Sequence, residues 1–116
     1  MDPVGAKPER RLFPRYRVRA AVLWCNRNHE PMAGEICDVS ARGLFLVSRT
    51  ALPDDVGMAD RASVTVRTTY GEETLVGVVR WRGYHPLHEA IGCGIELDKP
   101  SQAALLRLFP VLGRDG

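Results

Sequence analysis

Two short stretches carry side chains whose type and spacing could do recognition chemistry. The first is Arg11-Leu12-Phe13-Pro14-Arg15, an R-x-x-x-R spacing preceded by Arg10. An arginine guanidinium is a planar, permanently charged fork. It can meet phosphate oxygens, or guanine O6 and N7, with two parallel hydrogen bonds, and it stacks on purine faces. The second is Asp38-Val39-Ser40-Ala41-Arg42-Gly43, a D-x-S-x-x-G spacing. A carboxylate there accepts hydrogen bonds, and a serine hydroxyl adapts as donor or acceptor. Glycine permits a positive φ or a close approach to the backbone. Each stretch also has a plain reading. Arg10, Arg11, Arg15, Arg17 and Arg19, with Glu9 beside them, make a solvated basic tail unless something downstream faces them. Asp38, Ser40 and Gly43 are also what a turn or a bulge contains.

Other chemistries lack their residues. The chain has no G-x-S-x-G elbow, P-loop, H-E-x-x-H or dinucleotide glycine fingerprint, and no Ser or Cys set near a histidine in a recognisable catalytic arrangement, so no enzymatic activity is expected. Cys25, Cys37 and Cys93 are odd in number and lack C-x-x-C spacing, which argues against a disulfide framework; buried strand positions are expected for all three. Taken with His29, His85 and His88 they match no zinc spacing. His85-x-x-His88 flanks Pro86 in an expected loop, so neither metal nor cofactor is expected.

A chain of 116 residues, 45% hydrophobic and 26% charged, fits one ordinary globular domain. A net charge of +2 and 7% aromatics do not point to DNA or RNA as partner. No apolar run reaches the roughly 20 residues that span a bilayer. Met1 to Arg11 has no apolar stretch of the secretory kind. A cytoplasmic location without membrane insertion is expected.

The elements that must position these residues follow from periodicity. Residues 1–9, with two prolines and a glycine, read as a flexible leader before a domain spanning 10–112. Tyr16, Val18, Ala20, Val22 and Trp24 alternate as a strand. Gly34 to Val39, Gly43 to Val47, Ala62 to Val66, Thr74 to Trp81 and Ile91 to Leu97 read as five more. Leu52 to Asp60 and Gly83 to Glu89 read as loops. Leu105, Leu108, Phe109 and Leu112 have helical spacing, which predicts a helix over about 101–109 with Ser101 as its cap. Pro110 ends it, and a tail covers 113–116. The expected fold is all-β with a C-terminal helix, its six strands closed as an antiparallel β-barrel.

In this order and spacing the two stretches closely resemble the PilZ domain family. Gly77-Val78-Val79-Arg80-Trp81 and Gly92-Cys93-Gly94-Ile95-Glu96-Leu97 resemble that family's last two strands, and the likeness runs from Arg10 to Leu112. It implies a bacterial cytoplasmic receptor for cyclic di-GMP, the ligand gripped between the arginine segment and the D-x-S-x-x-G surface. The roles pass to Arg11, Arg15, Asp38, Ser40 and Gly43, with Arg10 added by its place beside the pair. Trp81 is either a weaker contact bordering the base or an ordinary core aromatic. In this reading the arginines meet phosphate, and Asp38 accepts from guanine N1–H and the exocyclic amine, which rejects bases lacking those donors. Arg42 and Arg80 would help the positive field. The resemblance further implies a conformational change on binding, passed to an unidentified protein effector of motility, adhesion or polysaccharide machinery. The other reading it allows is a PilZ-like protein-interaction adaptor that does not bind nucleotide.

Overall fold

The computed structural model describes residues 14–26, 30–48, 57 and 59–113. The leader, Arg10, Arg11, His29, most of the Leu52 to Asp60 loop and residues 114–116 lie outside the described residues. Six strands follow in order: β1 Tyr16–Asn26, β2 Met32–Val39, β3 Gly43–Ser48, β4 Arg61–Thr68, β5 Gly71–His85 and β6 Ala90–Leu97. They form a closed antiparallel barrel in the order β1-β2-β3-β6-β5-β4, with β1 pairing β4 to complete it. This is the expected architecture. Its cause is the alternation read above: Trp24, Leu46, Val64, Val66, Leu75 and Val79 are all completely buried inside it. Each such side chain contributes roughly 1.5–3 kcal/mol by leaving water.

The helix α1, Lys99–Leu108, packs along β5 and adds Ala104, Leu105 and Leu108 to the core. It starts two residues before the expected point. Asp98 takes the extended N-cap conformation, and Pro100 suits the first turn because its missing N–H would be unpaired there anyway. Ser101 is therefore no cap. Its buried hydroxyl accepts the Val76 N–H at 2.8 Å and ties the helix to β5. Ser101→Ala should leave that amide unpaired and cost about 1–3 kcal/mol, seen as a lower urea midpoint with an unchanged slope. Regular helix stops at Leu108 before Pro110, as expected, and a 3-10 turn over Pro110–Gly113 returns Leu112 to the core.

Two irregularities in the strands decide where the site lies. In the β2–β3 pairing, Ile36 faces Leu46 but Asp38 faces Phe45, so Cys37 is one extra residue in β2. In the β5–β6 pairing, Val79 faces Ile95 but Trp81 faces Gly94, so Arg80 is extra in β5. A bulge of this kind turns the next side chain to the other face. Strict alternation would send Asp38 and Trp81 into the barrel with Ile36 and Val79. The bulges turn both to its outer wall, and Val39 takes the core position instead. The β5–β6 hairpin also runs further than expected. Strand pairing continues through Tyr84 with Ile91 and His85 with Ala90, leaving only Pro86 to Glu89 as turn. Residues Gly83 to His85, expected in a loop, are strand, and Ile91 is 57% exposed.

Of the cysteines only Cys93 is fully buried, whereas Cys25 and Cys37 are half-buried. Burial pushes the Cys93 thiol from 9.0 up to about 11. The folded chain then holds this proton more tightly than the unfolded chain. Stability is full below pH 9.0 and falls as pH rises toward about 11, by about 2–3 kcal/mol in all. Urea unfolding across that range should show the fall, and Cys93→Ala should remove it.

Candidate functional site

Asp38 is the centre of the arrangement. It is the last residue but one of β2, is 4% exposed, and stands between Arg17 of β1 and Phe45 of β3 in the sheet register. Arg15, one residue before β1, donates from Nη1 to Asp38 Oδ1 at 2.6 Å. The other carboxylate oxygen, Oδ2, lies 2.8 Å from His88 Nε2 on the β5–β6 turn. A charged hydrogen bond to a nearly buried carboxylate is among the stronger polar contacts a surface can carry. The two stretches singled out in the sequence therefore meet at one point.

Ser40 and Gly43 shape the turn beside it. Their backbones exchange hydrogen bonds, Ser40 N–H to the Gly43 carbonyl at 2.9 Å and Gly43 N–H to the Ser40 carbonyl at 3.4 Å. The Ser40 hydroxyl accepts the Arg42 N–H at 3.4 Å. Gly43 does not take the positive φ that was expected as one of its uses. It is small for a different reason: a Cβ there would overlap the Ile95 carbonyl oxygen of β6. Arg42 and Arg80 both reach Glu96, at 3.1 and 2.8 Å, so this one carboxylate offsets part of their charge. Arg10 and Arg11 lie outside the described residues.

Trp81 is 42% exposed, so it is no core aromatic. Its ring packs on Phe45 with centroids 5.7 Å apart and meets His85 edge-on at 6.1 Å. Phe45 also stacks on His88, at 5.6 Å and 15°. Phe45, His85 and His88 thus join the site, and sequence reasoning missed all three. The signal available was His85-x-x-His88, which read as open loop because β5 was taken to end at Trp81. A groove of about 410 Å³ leads away from His88 past Leu87, Arg17, Arg19, Glu35 and Cys37. Two of its lining residues, Arg17 and Arg19 of β1, are basic. Arg19 pairs with Glu35 at 2.9 Å.

Comparison with known proteins agrees with this fold. The family model described as "PilZ domain" matches residues 9–109. No curated protein sequence matches. Among solved structures, the PilZ domain with c-di-GMP of YcgR from Escherichia coli superposes over 91% of this chain and 93% of that chain. Its TM-score is 0.68 at 14% identity. The K. pneumonia MrkH–c-di-GMP complex matches over 88% of this chain and 50% of that chain, with a TM-score of 0.65 at 21% identity. The Bacillus subtilis inhibitor of motility MotI/DgrA matches over 90% and 50%, with a TM-score of 0.63 at 19% identity. The family model covers nearly the whole barrel, strands and helix alike, and the chain belongs to the PilZ domain family.

Proposed function

We propose that this chain is a cyclic di-GMP receptor of the bacterial cytoplasm, not an enzyme, which passes the state of its site to a protein partner. The observation that carries this reading is the 2.6 Å contact between Arg15 and the nearly buried Asp38. It sets a permanent cation beside a carboxylate able to accept from a guanine edge, next to a groove that Cys37 and His88 line. Both Asp38 oxygens already have protein partners, so a guanine edge must displace them. Arg15 then turns its guanidinium to a phosphate or a base face, where Arg10 and Arg11 of the preceding segment join it. Displacement of Arg15 and His88 is what would move the surface that a partner reads. The similar MotI/DgrA and MrkH structures, described as an inhibitor of motility and a transcription regulatory factor, support the view that this fold serves outputs of more than one kind.

Calorimetric titration with cyclic di-GMP, beside cyclic di-AMP and an Arg15→Ala, Asp38→Ala double variant, tests the reading. Guanine-selective binding that vanishes in the variant upholds it. A folded sample that binds neither nucleotide turns the chain into a protein-interaction adaptor. Hydrogen exchange up to Arg15 should slow when cyclic di-GMP is added; unchanged exchange would remove the conformational step.

A further inference from the structure

We infer that Asp38, His85 and His88 form a site for one divalent transition-metal ion, with Zn²⁺ the ion its donors suit. Among the described residues these three place one ligand atom each within 4.8 Å of one another. They come from two places far apart in sequence: Asp38 from the end of β2, and both histidines from the β5–β6 hairpin. The site is sheltered, since the side chains of Asp38 and His88 are only 5% and 11% exposed. Imidazole nitrogens with one carboxylate oxygen are a familiar donor set for zinc and its neighbours, whereas calcium and magnesium prefer oxygen alone.

The geometry needs little adjustment. Tetrahedral zinc with bonds near 2.0–2.2 Å holds its ligand atoms roughly 3.3–3.6 Å apart, so the widest pair must close by about 1 Å. His88 Nε2 and Asp38 Oδ2, now 2.8 Å apart, must open by roughly 0.5–0.8 Å as the ion replaces their hydrogen bond, and the two imidazole rings have centroids 4.7 Å apart at 47°. Small χ rotations supply the rest. The supporting contacts are also of the kind metal sites use. Arg15 holds Asp38 through Oδ1 and leaves Oδ2 for the ion; a ligating carboxylate is usually fixed by such a second hydrogen bond. Phe45 stacks on His88 and lies 4.8 Å from His85, which fixes both rings. Turn geometry adds to this, because Glu89 takes a positive φ of 53° directly after His88. Three protein ligands leave the ion a fourth position for water.

The site shares Asp38 with the nucleotide, and this consequence alone rests on the receptor reading above. Guanine offers two adjacent donors and needs both carboxylate oxygens, while the ion takes one of them. Metal and nucleotide therefore oppose each other, and by linkage each must weaken the other by the same factor.

The test uses the full chain and Zn²⁺ alone, by calorimetry, with Co²⁺ absorption as the probe of coordination. Saturable uptake of one ion per chain is expected. Its Co²⁺ spectrum should show tetrahedral bands and no sulfur charge-transfer band, and a rise in unfolding temperature should accompany it. His85→Ala and His88→Ala should each weaken uptake by about tenfold or more. Failure of the wild-type chain to take up Zn²⁺, or uptake untouched by both substitutions, overturns the site. The wild-type shift in unfolding temperature decides the matter even if a variant misfolds. Zn²⁺ bound as expected, with cyclic di-GMP affinity indifferent to it, overturns the sharing of Asp38. Normal Zn²⁺ uptake by a chain that binds no nucleotide strikes the receptor reading and leaves the metal site standing.

Discussion

Asp38→Asn is expected to weaken cyclic di-GMP binding by about a hundredfold or more while leaving the barrel folded. The substitution keeps the shape of the side chain and changes only its hydrogen-bonding character. A carboxylate offers two acceptors to the paired donors of guanine, N1–H and the exocyclic amine. An amide offers one acceptor and one donor, so one guanine donor faces another donor at a position that is 4% exposed. At so sheltered a position water cannot repair the mismatch, and the unpaired group bears its own desolvation cost. Stability should suffer less. Arg15 is 39% exposed and finds water when Asp38 no longer binds its charge. His88 retains its stacking on Phe45. Loss of the two contacts to Asp38 should lower the unfolding midpoint by only a few degrees, which thermal unfolding can check on the same sample. A variant that stays folded and binds cyclic di-GMP with wild-type affinity would remove Asp38 from the role of base reader.

The barrel was legible in the sequence because it rests on a simple rule, and the meeting of the two motifs was legible through the PilZ resemblance. Alternation at period two marks Val22 and Trp24, Val64 and Val66, or Leu75 and Val79 as one face of a sheet, and short turns make the pairing antiparallel. Arg15 and Asp38 stood out because the R-x-x-x-R and D-x-S-x-x-G stretches occur in series, in the order and spacing that resemble the PilZ family. The rest was hidden by backbone events that leave no periodic trace. Nothing about Cys37 or Arg80 announces a bulge, yet those two residues decide that Asp38 and Trp81 face outward. Gly83 read as the start of a loop. With a positive φ of 154° it continues β5 instead, and so brings His85 and His88 back over Phe45. Ser101 looked like a helix cap by residue type alone. Only the approach of β5 shows that its hydroxyl serves Val76. Cys25 and Cys37 looked like core residues because their neighbours are apolar, but side chains next to a bulge or near a strand end are not sealed on both sides.

Gly43→Ala is expected to cost about 3 kcal/mol or more, against the 5–15 kcal/mol that holds a domain of this size folded. The reason lies in the barrel and not in the turn. Gly43 pairs with Glu96 of β6, and an added methyl would overlap the Ile95 carbonyl oxygen. The obstacle is backbone, so no side-chain rotation relieves it. The strands must separate, and the nearby hydrogen bond from Leu97 N–H to the Arg42 carbonyl, 2.9 Å long, would stretch with them. Gly94 supplies the control. It lies on β6 as well, but its added methyl would meet only the Trp81 Cβ at 3.7 Å, an ordinary contact. Gly94→Ala should therefore change stability by no more than about 0.5 kcal/mol, whereas Gly43→Ala should lower the midpoint by roughly 10 °C or more. The comparison also separates two roles for the glycine of the D-x-S-x-x-G stretch. If its smallness serves the barrel, Gly43→Ala loses stability first, and nucleotide affinity falls only as the β2–β3 turn is displaced. A Gly43→Ala chain as stable as wild type but unable to bind cyclic di-GMP would mean that the ligand itself needs the space, and that β3 and β6 can part without cost.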